Sequence, residues 1–157
     1  MLTVAKALGA RLALLDPPNA AFYQQRLAEF ATRWSAATRK WEAKAAPLKG
    51  RNVVVQHDAW IYLTQWLGMK QIGALEPKPG VPPTSAHLAS LTSITKSSNT
   101  LAIIRAAYQD PKASEWLSDR TGVPTVSLPF TVGGDPESKD LFGMFDANVD
   151  KLLGAAK

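Results

Sequence analysis

Val53-Val54-Val55-Gln56-His57-Asp58-Ala59-Trp60 decides how this chain folds. A short β-branched run ends at a histidine, and an amphipathic stretch follows directly. Such a run bounded by polar residues reads as a buried strand, and residues 58–67 read as a helix with Gly68 just past its end. His57 then sits at the carboxyl end of a strand, the edge along which open α/β sheets bind their ligands. The expected helix N-terminus disfavours imidazolium, and neutral imidazole is the form that ligates metal. Two readings of His57 follow: a metal ligand, or a hydrogen-bonded histidine closing a strand.

The pattern repeats downstream. Residues 71–75 read as a second strand, and 76–83 as a stiff, proline-rich loop. Thr84 or Ser85 caps a helix to about residue 96. Residues 100–105 form the third strand. Asp110-Pro111 places a cap and a first-turn proline before a helix ending near Gly122. Residues 124–128 form the fourth strand, and a last helix spans 137–153. Strands alternating with helices predict an α/β fold with a four-stranded parallel sheet flanked by helices. The connections 56–58, 76–84, 106–111 and 129–137 then share one edge. That edge carries His57, Glu76, Asp110 and Asp135, with His87 in the first turn of a nearby helix.

The first 50 residues differ. Leu2, Ala5, Leu8, Leu12 and Leu15 recur at helical spacing, with no start signal before them, as in a truncated chain. Asp16-Pro17-Pro18-Asn19 breaks that helix, and Asp16 or Asn19 is a candidate cap for the next. Residues 20–46 contain no Gly or Pro. Leu27, Phe30, Trp34, Thr38, Trp41, Ala45 and Leu48 fall on one stripe of that long helix, and Arg26, Arg33, Lys40 and Lys44 on an adjoining one. About 27 helical residues reach roughly 40 Å, more than a small domain needs. The natural division is a helical segment, 1–50, and an α/β lobe, 51–157.

Composition narrows the function. The 157 residues carry 46% hydrophobic and 20% charged side chains and no cysteine. This is ordinary globular material without thiolate sites or disulfides. No apolar run reaches membrane-spanning length, and the N-terminus lacks the pattern of a signal peptide. The net charge of +5 is concentrated in residues 1–51. There the basic residues interleave with an apolar stripe, so a solvated helix flank is expected rather than a nucleic-acid face.

Phosphate-loop, dinucleotide and nucleophile-elbow motifs are absent. Gly133-Gly134 reads as loop-shaping. One histidine does not make a zinc site, which takes about four ligands. The partners this sequence offers along the edge are Glu76, Asp135 and His87. Each has an ordinary alternative: loop solvation, a turn, or a surface histidine.

Taken in order, several stretches resemble one family. These are Leu15-Asp16-Pro17 with Asn19, Ala20 and Tyr23; Leu48-Lys49-Gly50; the His57 segment with Tyr62, Leu63, Leu67 and Gly68; the loop before Thr84-Ser85-Ala86-His87-Leu88; and Glu115-Trp116-Leu117 with Thr121-Gly122-Val123-Pro124. Together they are similar to the carboxyl-terminal part of the substrate-binding proteins of zinc and manganese ABC transporters, the TroA-like or ZnuA-like group. The resemblance implies two α/β lobes joined by a long helix, with a metal ion between them. Residues 20–46 match that helix, and 51–157 the second, Rossmann-like lobe. It implies a binding protein rather than an enzyme, located in the periplasm or outside the membrane. Its cargo would be Zn2+, or alternatively Mn2+, and its partner an ABC permease. His57 matches the ligand of the second lobe. Two ligands would come from a first lobe that this sequence lacks. A fourth, often an aspartate from the last loop, has Asp135 as its nearest candidate. The alternative is a stand-alone interaction or regulatory module on the same scaffold. On either reading, residues 1–46 should expose an apolar stripe.

Overall fold

The computed structural model describes residues 1–78 and 81–156. Pro79 and Gly80 of the proline-rich loop, and Lys157 of the expected second domain, lie outside the described residues. The chain divides into two compact units, Met1–Ala43 and Lys44–Lys157. Among the described residues no helix is long and apolar enough to cross a membrane.

In the first unit, helix α1 spans Leu2–Leu15 and a turn at Pro17–Asn19 leads into α2, Ala20–Lys44, whose last residue belongs to the second unit. The break arises as expected from Pro17-Pro18, and Asp16 is the cap position of the turn that leads into α2. The Asn19 side chain and the Tyr23 hydroxyl both donate to Asp16 Oδ2, at 2.8 and 2.7 Å. Those two bonds hold the Asp16 carboxyl below its ordinary value. The aromatic residues of the α2 stripe pack in series: Phe30 stacks on Trp34 at 5.7 Å, and Trp34 meets Trp41 edge-on at 5.3 Å. No residue of α1 is buried. Val4, Leu8, Leu14, Leu15 and Phe22 are all more than half exposed. An apolar groove runs between α1 and the start of α2, as the expected exposed stripe requires.

The second unit is built on a parallel sheet in the order β2-β1-β3-β4. Its strands are β1 (Asn52–Val55), β2 (Lys70–Ala74), β3 (Thr100–Ala106) and β4 (Thr125–Leu128). Val53, Val54 and Val55 have no exposed surface, and Leu101 to Ile104 have almost none. Such continuous apolar runs belong to central strands covered on both faces, whereas edge strand β4 alternates. Between the strands lie α3 (Ile61–Trp66), α4 (Ser85–Ser97) and α5 (Lys112–Thr121), with α6 (Leu141–Gly154) last. Leu91 of α4 and Leu117 of α5 pack with Val54, Leu75 and Ile103 into one core cluster. Thr84 caps α4 by accepting from the His87 amide, as its position suggested.

Two helix starts differ from expectation. The segment after His57 is not helical from residue 58; α3 begins only at Ile61. The ladder continues one residue beyond β1, since Gln56 donates to Ile104 O and accepts from the Glu76 amide. The chain then turns, with Ala59 N bonded to His57 O at 2.8 Å. Asp58, the expected first helical residue, accepts from the Gln71 side chain instead. The six-residue α3 therefore starts four residues after His57 rather than directly behind it. The last helix starts at Leu141 rather than 137, because Asp140 caps it through Gly143 N at 2.7 Å.

Candidate metal centre

The strand order places a switch point at β1. The chain runs from β1 to β2 on one side, then returns to place β3 on the other. Crevices at the carboxyl ends of such strands are where open α/β sheets bind ligands. His57 leaves β1 at this point. Beside it, Gln56 is almost fully buried, at 3% exposure. Its Nε2 donates to Glu76 Oε1 at 3.3 Å and to Asp110 O at 3.0 Å. One side chain thus ties together the connections that follow β1, β2 and β3.

Glu76 completes the arrangement. With one carboxylate oxygen held by Gln56, the other, Oε2, lies 2.7 Å from His57 Nε2. The two side chains are 24% and 21% exposed, so the pair is fixed yet reachable from solvent. An imidazole nitrogen next to a carboxylate oxygen is a donor set that suits zinc, and with more oxygen ligands suits manganese.

The other candidates are placed elsewhere. His87 directs Nε2 to the Ala74 carbonyl at 2.8 Å, closing the end of β2. Asp110 accepts from the Lys112 amide at the start of α5, and that bond leads the effects holding its carboxyl below the usual value. Asp135 Oδ1 accepts from Glu137 N, Ser138 N and Ser138 Oγ at 3.1, 2.8 and 2.7 Å. Its Oδ2 faces Lys151 Nζ at 3.1 Å. Burial pushes the Asp135 carboxyl up, but the Ser138 and Lys151 bonds outweigh it and leave it below its ordinary value. Gly133, at φ +79, and Gly134, where a Cβ would meet Thr131 O at 2.9 Å, shape this loop. Among the described residues no three His, Asp or Glu side chains converge as a metal cluster. His57 and Glu76 stand together as a pair, with neither His87 nor Asp135 joining them.

Sequence reasoning missed Gln56. Its signal was a polar residue ending a fully apolar strand, in the last ladder position, where a buried amide must find partners. Along the same edge the rings of Trp60, Phe130 and Tyr108 meet in series, with centroids 5.3 and 5.9 Å apart. They come from the connections after β1, β4 and β3.

Residues 1–155 match the family model described as ZnuA, zinc-uptake complex component A, periplasmic. The high-affinity zinc uptake system protein ZnuA of Brucella abortus (strain 2308) is 29% identical over 150 residues, 96% of this chain and 44% of that protein. A crystal structure of ZnuA superposes with a TM-score of 0.81 at 24% identity, over 97% of this chain and 55% of that one. The substrate-binding protein FpvC of Pseudomonas aeruginosa, solved with Mn2+, gives a TM-score of 0.70 at 22% identity, over 94% and 57%. These structural likenesses extend the fold assignment to a parallel sheet with a long preceding helix. The chain spans less than half the length of the Brucella relative.

Proposed function

The chain belongs to the ZnuA family of periplasmic zinc-uptake components, and from that premise we propose that it forms the linking helix and second lobe of an extracytoplasmic zinc-binding protein that feeds an ABC permease. In this reading residues 51–157 are the metal-binding lobe, and residues 1–50 lead from the part of the relatives' length not covered here. His57 is the ligand this lobe contributes. The supporting observation is the placement of His57 at the sheet switch point with its Nε2 beside a carboxylate. Zinc is the cargo, and manganese the second choice. The protein carries its metal and transforms nothing.

One histidine holds zinc weakly, so high affinity requires further ligands. The test is isothermal titration of the chain with Zn2+. His57→Ala should reduce zinc affinity at least tenfold, and an unchanged affinity would overturn the assignment.

A second reading, a stand-alone interaction module, draws on the exposed apolar groove of the first unit. It requires that zinc affinity be the same with and without His57.

A further inference from the structure

We propose that Gln56 is a positioning residue for metal capture: it sets the Glu76 carboxylate beside His57 before any ion arrives, and ties both to the connection that follows β3. The inference rests on the zinc-capture reading above and adds no ligand to it. It holds whether Glu76 touches the ion or only orients the imidazole.

A run of covered apolar side chains ends here at a covered polar one. Val53, Val54 and Val55 have no exposed surface, and Gln56, next in line, is 3% exposed. Its main chain extends the sheet on both sides, donating to Ile104 O at 2.7 Å and accepting from Glu76 N at 2.8 Å. Its side chain bridges the same two connections again, with Nε2 donating to Glu76 Oε1 and to Asp110 O. One residue therefore holds Glu76 at two points, its amide and one carboxylate oxygen. The other oxygen, Oε2, is left for His57 Nε2 at 2.7 Å.

Gln109 closes the other side. Along β3, Ile104 O bonds towards β1 through Gln56, while Ala107 N bonds to Leu128 O at the end of β4. Strand alternation then turns Ala106 N towards β1, where the next rung would need Gln56 O. Glu76 N already holds that oxygen, and Gln109 Oε1 takes Ala106 N instead, at 2.7 Å. The Gln109 side chain, also buried, thus sits in the split between β1 and β3 at the switch point.

These bonds fix which way each amide points. Each leaves one buried polar atom, Gln56 Oε1 and Gln109 Nε2, with no hydrogen-bond partner among the described residues. A buried amide that is half satisfied adds little to the fold, and an apolar side chain of the same length would fill its place without that cost. What Gln56 supplies that an apolar residue cannot is the donor that orients Glu76, the kind of outer contact that sets metal affinity.

Gln56→Met keeps the length and removes the donor. Calorimetric titration of the full chain with Zn2+ should show binding about tenfold weaker than in the parent, with Tm within about 2 °C of it. Unchanged affinity would overturn the proposal, whatever the Tm. Ring 15N NMR of the metal-free chain, with both histidines neutral, reads the positioning itself. The parent should hold His57 in the Nε2–H form facing Glu76, and Gln56→Met should show both tautomers. The same single tautomer in both proteins would overturn the proposal. The effect must also pass through Glu76. In a Glu76→Ala background, Gln56→Met should change zinc affinity less than about twofold, and fully additive losses would overturn the proposal. If His57→Ala leaves binding unchanged, the zinc reading itself fails. If His57→Ala weakens binding and Gln56→Met does not, only the positioning role fails.

Discussion

Replacing Asp135 with alanine should loosen the loop between β4 and α6 and leave zinc binding intact. The carboxylate holds the Ser138 amide and hydroxyl, both on a residue with no exposed surface. Alanine leaves the hydroxyl without an acceptor, and a buried unsatisfied donor costs about 1–3 kcal/mol, while the amide keeps its 3.2 Å bond to Asp135 O. The Glu137 amide returns to water at little cost. The partly exposed Lys151 pair adds at most about 1 kcal/mol. Water entering the emptied site recovers part of the loss, so the expected destabilisation is about 1–3 kcal/mol at pH 7. The folded carboxyl lies below its ordinary value of 3.8. Its ionised form therefore stabilises the fold above pH 3.8, and that contribution is lost as pH falls below 3.8 through the folded value. Urea unfolding followed by tryptophan fluorescence, in a pH series, measures both effects. The stability gap between parent and Asp135→Ala should be full at pH 7 and shrink below pH 3.8. A gap independent of pH would refute the electrostatic reasoning. Unchanged stability with weakened zinc binding would make Asp135 a ligand rather than a loop fastener.

Two further outcomes are expected. Gly73→Ala would place a Cβ 2.5 Å from Leu91 Cδ1, inside the core cluster; it should cost about 1–3 kcal/mol and lower Tm by several degrees in calorimetry, while a shift under about 1 °C would mean that Leu91 swings aside freely. The exposed face of α1 should drive concentration-dependent self-association, visible by light scattering; Leu8→Lys should abolish it without lowering Tm, and a parent chain monomeric at high concentration would contradict this.

The sheet was legible because its central strands are unbroken β-branched and aliphatic runs, and because helices of 6, 13 and 10 residues separate the strands. Parallel pairing follows from that alternation, and the carboxyl edge follows from parallel pairing. The long helix was legible from the absence of Gly and Pro in 20–46 and from the spacing of its Trp and Phe residues. What escaped depends on residues meeting across the fold. Asp58 looked like the start of a helix, but Gln71, brought alongside by β2, takes its carboxylate. Asp135 read as a turn residue or a candidate metal ligand, and nothing local told that Lys151 returns to it from α6. The Gln56–Glu76 link depends on β2 and β3 flanking β1, an order that local pattern does not encode. His57 was visible at a strand end; that Glu76 is the residue beside it was not.

The chain has two histidines, which makes ring nitrogen NMR the most direct test of where the metal goes. In a Zn2+ titration of the 15N-labelled chain, the His57 ring signals should shift as metal replaces the proton facing Glu76. His87 should keep the Nε2–H form bonded to Ala74 O. Zinc-induced changes at His87, or at neither ring, would contradict a metal site at the carboxyl end of β1.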